Sequence, residues 1–152
     1  MANALDVARQ LVHLAGSEDE PDFLCHLRLQ KLLYYVQGWS LGIRKKAMFP
    51  DRIEAWANGP VVKSVYPKFA DYGFSSISPD TVPLPKKLTA EEAEFVARVW
   101  ETYKVFSASS LREMTHAEVP WLEARGDTLP GIRSDAEITH ESLAAFFQAK
   151  AA

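Results

Sequence analysis

The sequence has little of what marks several large protein classes. A single cysteine in 152 residues excludes a disulfide within the chain and leaves too few ligands for a structural zinc site. No apolar run approaches the roughly 20 residues of a membrane span. The net charge of −3 provides no basic excess for binding nucleic-acid phosphates. The N-terminal segment MANALDVARQ lacks a basic region followed by an apolar block, so we expect no secretory signal and a cytoplasmic location.

Recognisable catalytic motifs are also missing. The sequence has no glycine-rich phosphate loop, no G-x-S-x-G segment and no H-x-x-x-H pair for a metal. Cys25 and His26 are adjacent, and adjacent helical residues point about 100° apart, so we expect a buried, inert cysteine rather than a nucleophile with its base. We therefore predict a protein without cofactor or metal that is not an enzyme. His116 leaves one alternative open, because an imidazole between Thr115 and Trp121 in the chain could act as a general base, although a structural role that joins two loops by hydrogen bonds is favoured.

The composition is that of a protein with a packed core. With 47% hydrophobic and 24% charged residues, the chain fits one globular domain over residues 1–152. We predict a single compact, mainly α-helical domain with a small two- or three-stranded antiparallel β element, which places it in the α+β class. Its central element is a helix from Leu27 to Leu41, which is apolar on nearly every side and should be covered by several neighbours.

Turn and capping signals set the expected boundaries of that helix. Asp22 is a candidate cap at its start, and Gly42 is expected to end it. Gly38 lies inside the helix, where glycine costs about 1 kcal/mol relative to alanine. We expect this cost to be offset by the close approach of another backbone.

The next segment is predicted to change from strand to helix. Residues 47–49 and 52–57 are expected to form two short strands. Pro60 is expected to open a helix, because its missing N–H would be unpaired at a first helical position anyway. The helix should break near Tyr66, and a second short helical turn should restart at Pro67 and end by Gly73. Further along, Thr89, Ser107 and Thr139 are predicted to cap three more helices.

Three blocks of the chain carry motif residues. A K-L-L-Y-Y-x-Q-x-W helix spans Lys31 to Trp39, an E-A-W-x-x-G-P-V-V turn spans Glu54 to Val62 and is followed by Tyr66, and a T-H-x-x-x-P-W element spans Thr115 to Trp121. In order and spacing these blocks resemble the SocA/Panacea family of bacterial antitoxin domains.

That resemblance implies the antitoxin of a toxin–antitoxin pair, which binds and neutralises a toxin protein directly. Resemblance to SocA-type members further implies a proteolytic adaptor that delivers the bound toxin to the ClpXP protease. The expected partners are therefore a cognate toxin and ClpX or ClpXP, with no membrane and no nucleic acid. Two alternatives stay open: an enzyme that uses His116, and a DNA-binding autorepressor, against which the negative net charge argues.

The motif residues are expected to fall into a binding group and a structural group. Trp56 lies beside Glu54 on a predicted strand, where a partly exposed aromatic residue is typical of a protein-binding hot spot, and core and interface roles are evenly balanced for it. The residues expected to bind the toxin are Glu54, Trp56, Asn58, Lys63, Tyr66, His116 and Trp121. The residues expected to be structural are Lys31, Leu33, Tyr34, Trp39, Gly59, Pro60, Val61 and Thr115, with Gly59 and Pro60 setting a tight turn from strand to helix.

Overall fold

Helices dominate the computed structural model, which describes residues 1–152. The helices are α1 (Ala4–Gly16), α2 (His26–Trp39), α3 (Tyr66–Phe69), α4 (Ala90–Tyr103), α5 (Ala108–His116), α6 (Val119–Arg125) and α7 (His140–Ala151). The strands are β1 (Ile53–Trp56), β2 (Gly59–Val62) and β3 (Glu137–Ile138), and they form one antiparallel sheet. The predicted fold class, mainly α with a small antiparallel β element, is therefore confirmed. None of the helices combines the length and apolar character needed to cross a membrane.

Helix α2 is the centre of the molecule, as predicted. Of its 14 residues, only Leu27 and Trp39 are not buried. Helices α1, α4, α5 and α7 and the β1–β2 hairpin pack around it. A helix covered on all sides needs no polar face, which explains why its apolar residues do not form a single stripe.

The boundaries of α2 differ from those predicted. Asp22 does not cap the helix; its carboxylate forms a salt bridge with Arg28 at 2.9 Å. At the other end the chain continues past Gly42 as a π-helical turn, Ser40–Arg44, and the left-handed residue that ends it is Lys45, with φ of 62°. The prediction that Gly42 ends the helix is therefore wrong.

Gly38 and Gly42 both face α7. A Cβ atom at Gly38 would overlap the ring of Phe147, and one at Gly42 would lie 2.9 Å from the Phe147 carbonyl carbon. The close approach expected at Gly38 is thus made by an aromatic side chain, whereas the backbone approaches at Gly42. Gly42 is explained by this helix–helix contact rather than by a helix stop.

The first predicted strand is also wrong, because residues 47–49 have no strand partner. Their backbone is held by the side chain of Gln37 instead. Its Oε1 accepts hydrogen bonds from the N–H groups of Met48 (2.9 Å) and Phe49 (3.3 Å), and its Nε2 donates to the Phe49 carbonyl (2.7 Å). A buried amide therefore satisfies backbone groups that a neighbouring strand would otherwise satisfy.

The helix predicted from Pro60 is a strand. Strand order is β2-β1-β3, so Pro60 lies on an edge strand, opposite Ala55. The Ala55 N–H donates to the Ala136 carbonyl at 2.8 Å and its C=O accepts from Arg125 at 3.2 Å, so both groups point away from β2. Proline at this position removes no hydrogen bond from the ladder, which makes an edge strand acceptable.

The remaining helix boundaries agree with the predictions. Thr89 forms a reciprocal capping box with Glu92, and the side chains of Ser107 and Thr139 accept the expected capping hydrogen bonds. The short turn predicted to restart at Pro67 is α3, which starts one residue earlier at Tyr66. The 3-10 turn that follows it, Ala70–Tyr72, ends before Gly73, as predicted.

Candidate binding site at the β1–β2 hairpin

The β1–β2 hairpin is fixed above the N-terminal half of α2. On one side, Trp121 Nε1 donates to the Trp56 carbonyl at 2.9 Å, and the Arg125 guanidinium lies 4.9 Å from the centre of the Trp121 ring. On the other side, the Val62 N–H donates to Gln30 Oε1 at 2.8 Å. Anchoring from both α6 and α2 gives the hairpin a single position.

Gly59 is needed in the hairpin for two reasons. Its φ of +124° lies in a region that residues with a side chain rarely adopt. In addition, a Cβ atom there would lie 3.2 Å from Lys31 Nζ and 3.4 Å from Thr115 Oγ1. Gly59 and Pro60 therefore belong to a strand-to-strand hairpin with Ala57 and Asn58 at its turn, and the predicted turn from strand to helix is wrong.

Glu54 and Trp56, two of the predicted binding residues, are joined by a hydrogen bond. Trp56 Nε1 donates to Glu54 Oε1 at 2.9 Å, and Arg52 Nε donates to Glu54 Oε2 at 3.0 Å. Glu54 is only 3% exposed, so it orients its neighbours more than it presents a surface. Trp56 is half-buried, and its ring lies 4.8 Å from the ring of Tyr66.

Two cavities lie on either side of Trp56. The first, which we call the hairpin cavity, has a volume of about 240 Å³. Its buried floor is made by His26, Gln30, Lys31 and Val61, its aromatic wall by Trp56 and Tyr66, and its exposed mouth by Asn58, Gly131 and Arg133. The second, the edge cavity, has a volume of about 370 Å³ and is lined by Glu54, Trp56, Lys63, Arg133, Ser134 and Asp135. The structure thus places four other predicted binding residues, Glu54, Asn58, Lys63 and Tyr66, around Trp56.

His116 and Trp121, the other two predicted binding residues, pack on each other. Their rings are stacked 4.0 Å apart with an angle of 9° between the planes, and Trp121 is buried. Burial lowers the pKa of His116, and the positive charge of Arg112 acts in the same direction. The other charged groups that act on this pKa, Lys31 and Arg125, are also cations. No carboxylate is among the charged groups that act on this pKa.

The predicted structural residues are mostly buried. Leu33, Tyr34 and Thr115 are fully buried, and Trp39, which is half-buried, donates from Nε1 to the Tyr103 hydroxyl at 2.8 Å. Cys25 is only half-buried, against the expectation of burial.

Sequence reasoning missed Glu118, which lies between His116 and Trp121 in the third motif. Its carboxylate accepts hydrogen bonds from the hydroxyls of Tyr34 (2.9 Å) and Tyr35 (3.0 Å) in the first motif. The available signal was a charged residue between two otherwise apolar motif positions, Ala117 and Val119. Its partners are more than eighty positions away, so the sequence does not show what the carboxylate binds.

The fold and site define a mainly helical α+β domain whose three motifs converge on one buried centre and one hairpin. The family model described as "Antitoxin SocA-like, Panacea domain" matches residues 29–122, which is more than half of the chain and includes all three motifs. The chain belongs to this family. No curated protein and no solved structure matches it.

Family membership supports an antitoxin role for the chain, and it implies a toxin as the partner in general. It also points to a role that is not enzymatic. The family match confirms the resemblance that the motif residues indicated.

Proposed function

We propose that this protein is a cytoplasmic antitoxin that neutralises its cognate toxin by direct binding, with the toxin docked on the face around Trp56. The family match supports the class of partner. The half-buried Trp56 between two cavities carries the choice of surface, since aromatic anchors beside pockets dominate many protein interfaces.

The charges around Trp56 indicate the chemistry of the docked surface. Lys63 and Arg133 are both exposed, and neither forms a salt bridge within the chain. The guanidinium of Arg52, by contrast, is already paired with Glu54 and Glu137. Lys63 and Arg133 therefore form the basic rim of this face, beside the acidic Asp135. A toxin surface with acidic residues would complement this rim, and association should then slow as salt is added.

The test is a binding measurement with the toxin encoded beside this gene. Trp56→Ala should weaken toxin binding by about 2 kcal/mol or more, roughly 30-fold in Kd, as hot-spot truncations do. Phe74→Ala is the matched control, because Phe74 is 89% exposed and outside both cavities. In cells, the Trp56 variant should no longer rescue growth from the toxin, whereas the Phe74 variant should. Unchanged toxin affinity in a folded Trp56 variant would exclude this surface.

We further propose that the bound toxin is delivered to the ClpXP protease. In a reaction with purified ClpXP, the toxin should be degraded faster with the antitoxin present than without it. The Trp56 variant should lose this acceleration because it no longer holds the toxin. If the toxin is neutralised yet remains intact, neutralisation occurs by masking alone and the adaptor role is excluded.

A further inference from the structure

Lys31 is a buried cation without a partner. It is 2% exposed, and its side chain reaches the floor of the hairpin cavity. Its ammonium group takes part in none of the salt bridges and in none of the side-chain hydrogen bonds within the chain. Burying an ammonium group without an opposite charge destabilises the fold, so a lysine at this position is better explained by a function than by stability.

The charged groups closest to Lys31 are mostly cations, so none of them neutralises its charge. On its own helix, His26 faces the same cavity, and from α5 the charge of Arg112 acts on Lys31. Arg133 stands at the mouth. Cys25 is the one nearby group whose effect favours the charged lysine. The carboxylate of Glu54 lines the edge cavity instead, where it already accepts hydrogen bonds from Arg52 and Trp56.

His26 is neutral and contributes no positive charge to the cavity. Gln30 Oε1 accepts from the Val62 N–H, which turns the Gln30 amide nitrogen toward His26 Nε2 at 3.1 Å. Since that nitrogen can only donate, His26 Nε2 accepts and carries no proton. Lys31 is therefore the one charged group on the cavity floor.

The size and walls of the cavity restrict what can enter. A volume of about 240 Å³ is smaller than typical pockets for drug-sized ligands, which begin near 300 Å³. The walls are apolar at Trp56, Tyr66 and Val61, while Lys31 and Arg133 supply the charge. A short aliphatic stem that ends in a single negative charge matches this arrangement, whereas a phosphate dianion would need more donors than these walls provide.

We propose that the hairpin cavity binds one carboxylate group, held between Lys31 Nζ and Arg133, and that the docked toxin supplies it from an acidic side chain or its C-terminus. Only the source of the carboxylate rests on the proposed function. The anion site itself is a property of this chain alone and is testable without the toxin.

The probe for the site is propionate, which reproduces the end of a glutamate side chain. The whole chain is titrated with sodium propionate at constant ionic strength, and the NMR signals of the Trp56 indole N–H and of the Ala57, Asn58 and Gly131 amides are followed. We expect saturable shifts at these residues, in the millimolar range for so small a ligand. Propionamide, which is uncharged, should produce none.

Three variants assign the charge. Lys31→Met, which keeps an unbranched side chain one atom shorter and removes the ammonium group, should weaken propionate binding at least tenfold, roughly the loss expected for a charge-assisted hydrogen bond. Arg133→Gln, at the exposed mouth, should weaken it by a smaller factor and guards against misfolding of the Lys31 variant. Lys63→Met is the matched control, because Lys63 lines only the edge cavity, and it should bind propionate unchanged.

The outcomes separate the site from the docking surface. Absence of saturable shifts, or equal binding by the Lys31 and Lys63 variants, overturns the carboxylate site even if toxin binding stands. Saturation by inorganic phosphate but not by propionate also overturns it. If propionate binds as expected and the toxin does not, the proposed docking is wrong and the site remains. With both intact, neutralising each acidic side chain of the toxin and amidating its C-terminus in turn should identify the source, since one of these changes will abolish the Lys31 dependence of toxin affinity.

Discussion

Two buried ionisable groups of the motifs, Lys31 on α2 and Glu118 just before α6, have opposite surroundings. Glu118 accepts two tyrosine hydroxyls and lies 3.7 Å from Lys150 Nζ. Lys31 has no partner and faces a cavity. Burial disfavours the charged form of both, so it raises the pKa of Glu118 and lowers that of Lys31 to about 8. A satisfied buried charge holds helices together, whereas an unsatisfied one beside an open cavity indicates a place for a ligand.

Removing the satisfied charge should have the largest effect. Glu118→Ala would leave the hydroxyls of Tyr34 and Tyr35 buried and unpaired and would open a void between α2 and α6. We expect the free energy of unfolding to fall by roughly 3–5 kcal/mol. Urea unfolding at pH 7 measures it, with Glu123→Ala on the exposed face of α6 as the control, which should change it by less than about 0.5 kcal/mol. A small loss for Glu118→Ala would show that the two regions do not differ as described.

Removing the unsatisfied charge of Lys31 should raise the free energy of unfolding rather than lower it. Lys31→Met takes an uncompensated ammonium group out of the interior, and the free energy of unfolding at pH 7 should rise by roughly 2–3 kcal/mol, in line with the lowered pKa. The same urea experiment measures it. Destabilisation by this substitution would mean that Lys31 is a structural residue, as the sequence first suggested.

The pH dependence should show a smaller part of the same effect. The pKa of Lys31 is about 8 in the folded protein, against an ordinary value of 10.5. At pH values between these two, the unfolded chain therefore binds more protons than the folded protein does. Lys31 therefore makes the folded state more stable as pH rises from 8 to 10, by about 1–2 kcal/mol. Other groups also titrate there, so the wild-type stability is compared with that of Lys31→Met, and their difference should shrink over this window. A constant difference would place the pKa of Lys31 near its ordinary value.

Much of the fold could be predicted because its signals are local. Thr89 and Glu92 satisfy each other's neighbouring backbone groups within one helical turn, so the start of α4 can be recognised from four residues. The central position of α2 was predictable from its lack of a polar face. The errors at Pro60 and at residues 47–49 have a common origin, since strand pairing and the bonds from Gln37 involve partners that local propensity does not include.

The candidate site was likewise predictable in part from the sequence. Motif residues identified the hairpin and Trp56, and the structure places Glu54, Asn58, Lys63 and Tyr66 beside that tryptophan, where their proposed role in toxin binding stays a prediction. Lys31 was expected to be structural. The sequence of an apolar helix does not show whether a lysine in it pairs with a carboxylate in the folded protein. That depends on what the hairpin and α5 place around it.

The sequence by itself determined the helical class, the caps of α4, α5 and α7 and the family, because each rests on residues close together in the chain or on a fixed order of motifs. Only the tertiary structure decided that Lys31, Trp56 and Arg133 line one cavity and that Glu118 satisfies two tyrosines. Burial and pairing arise when distant segments exclude water together, and no short stretch of chain contains that information.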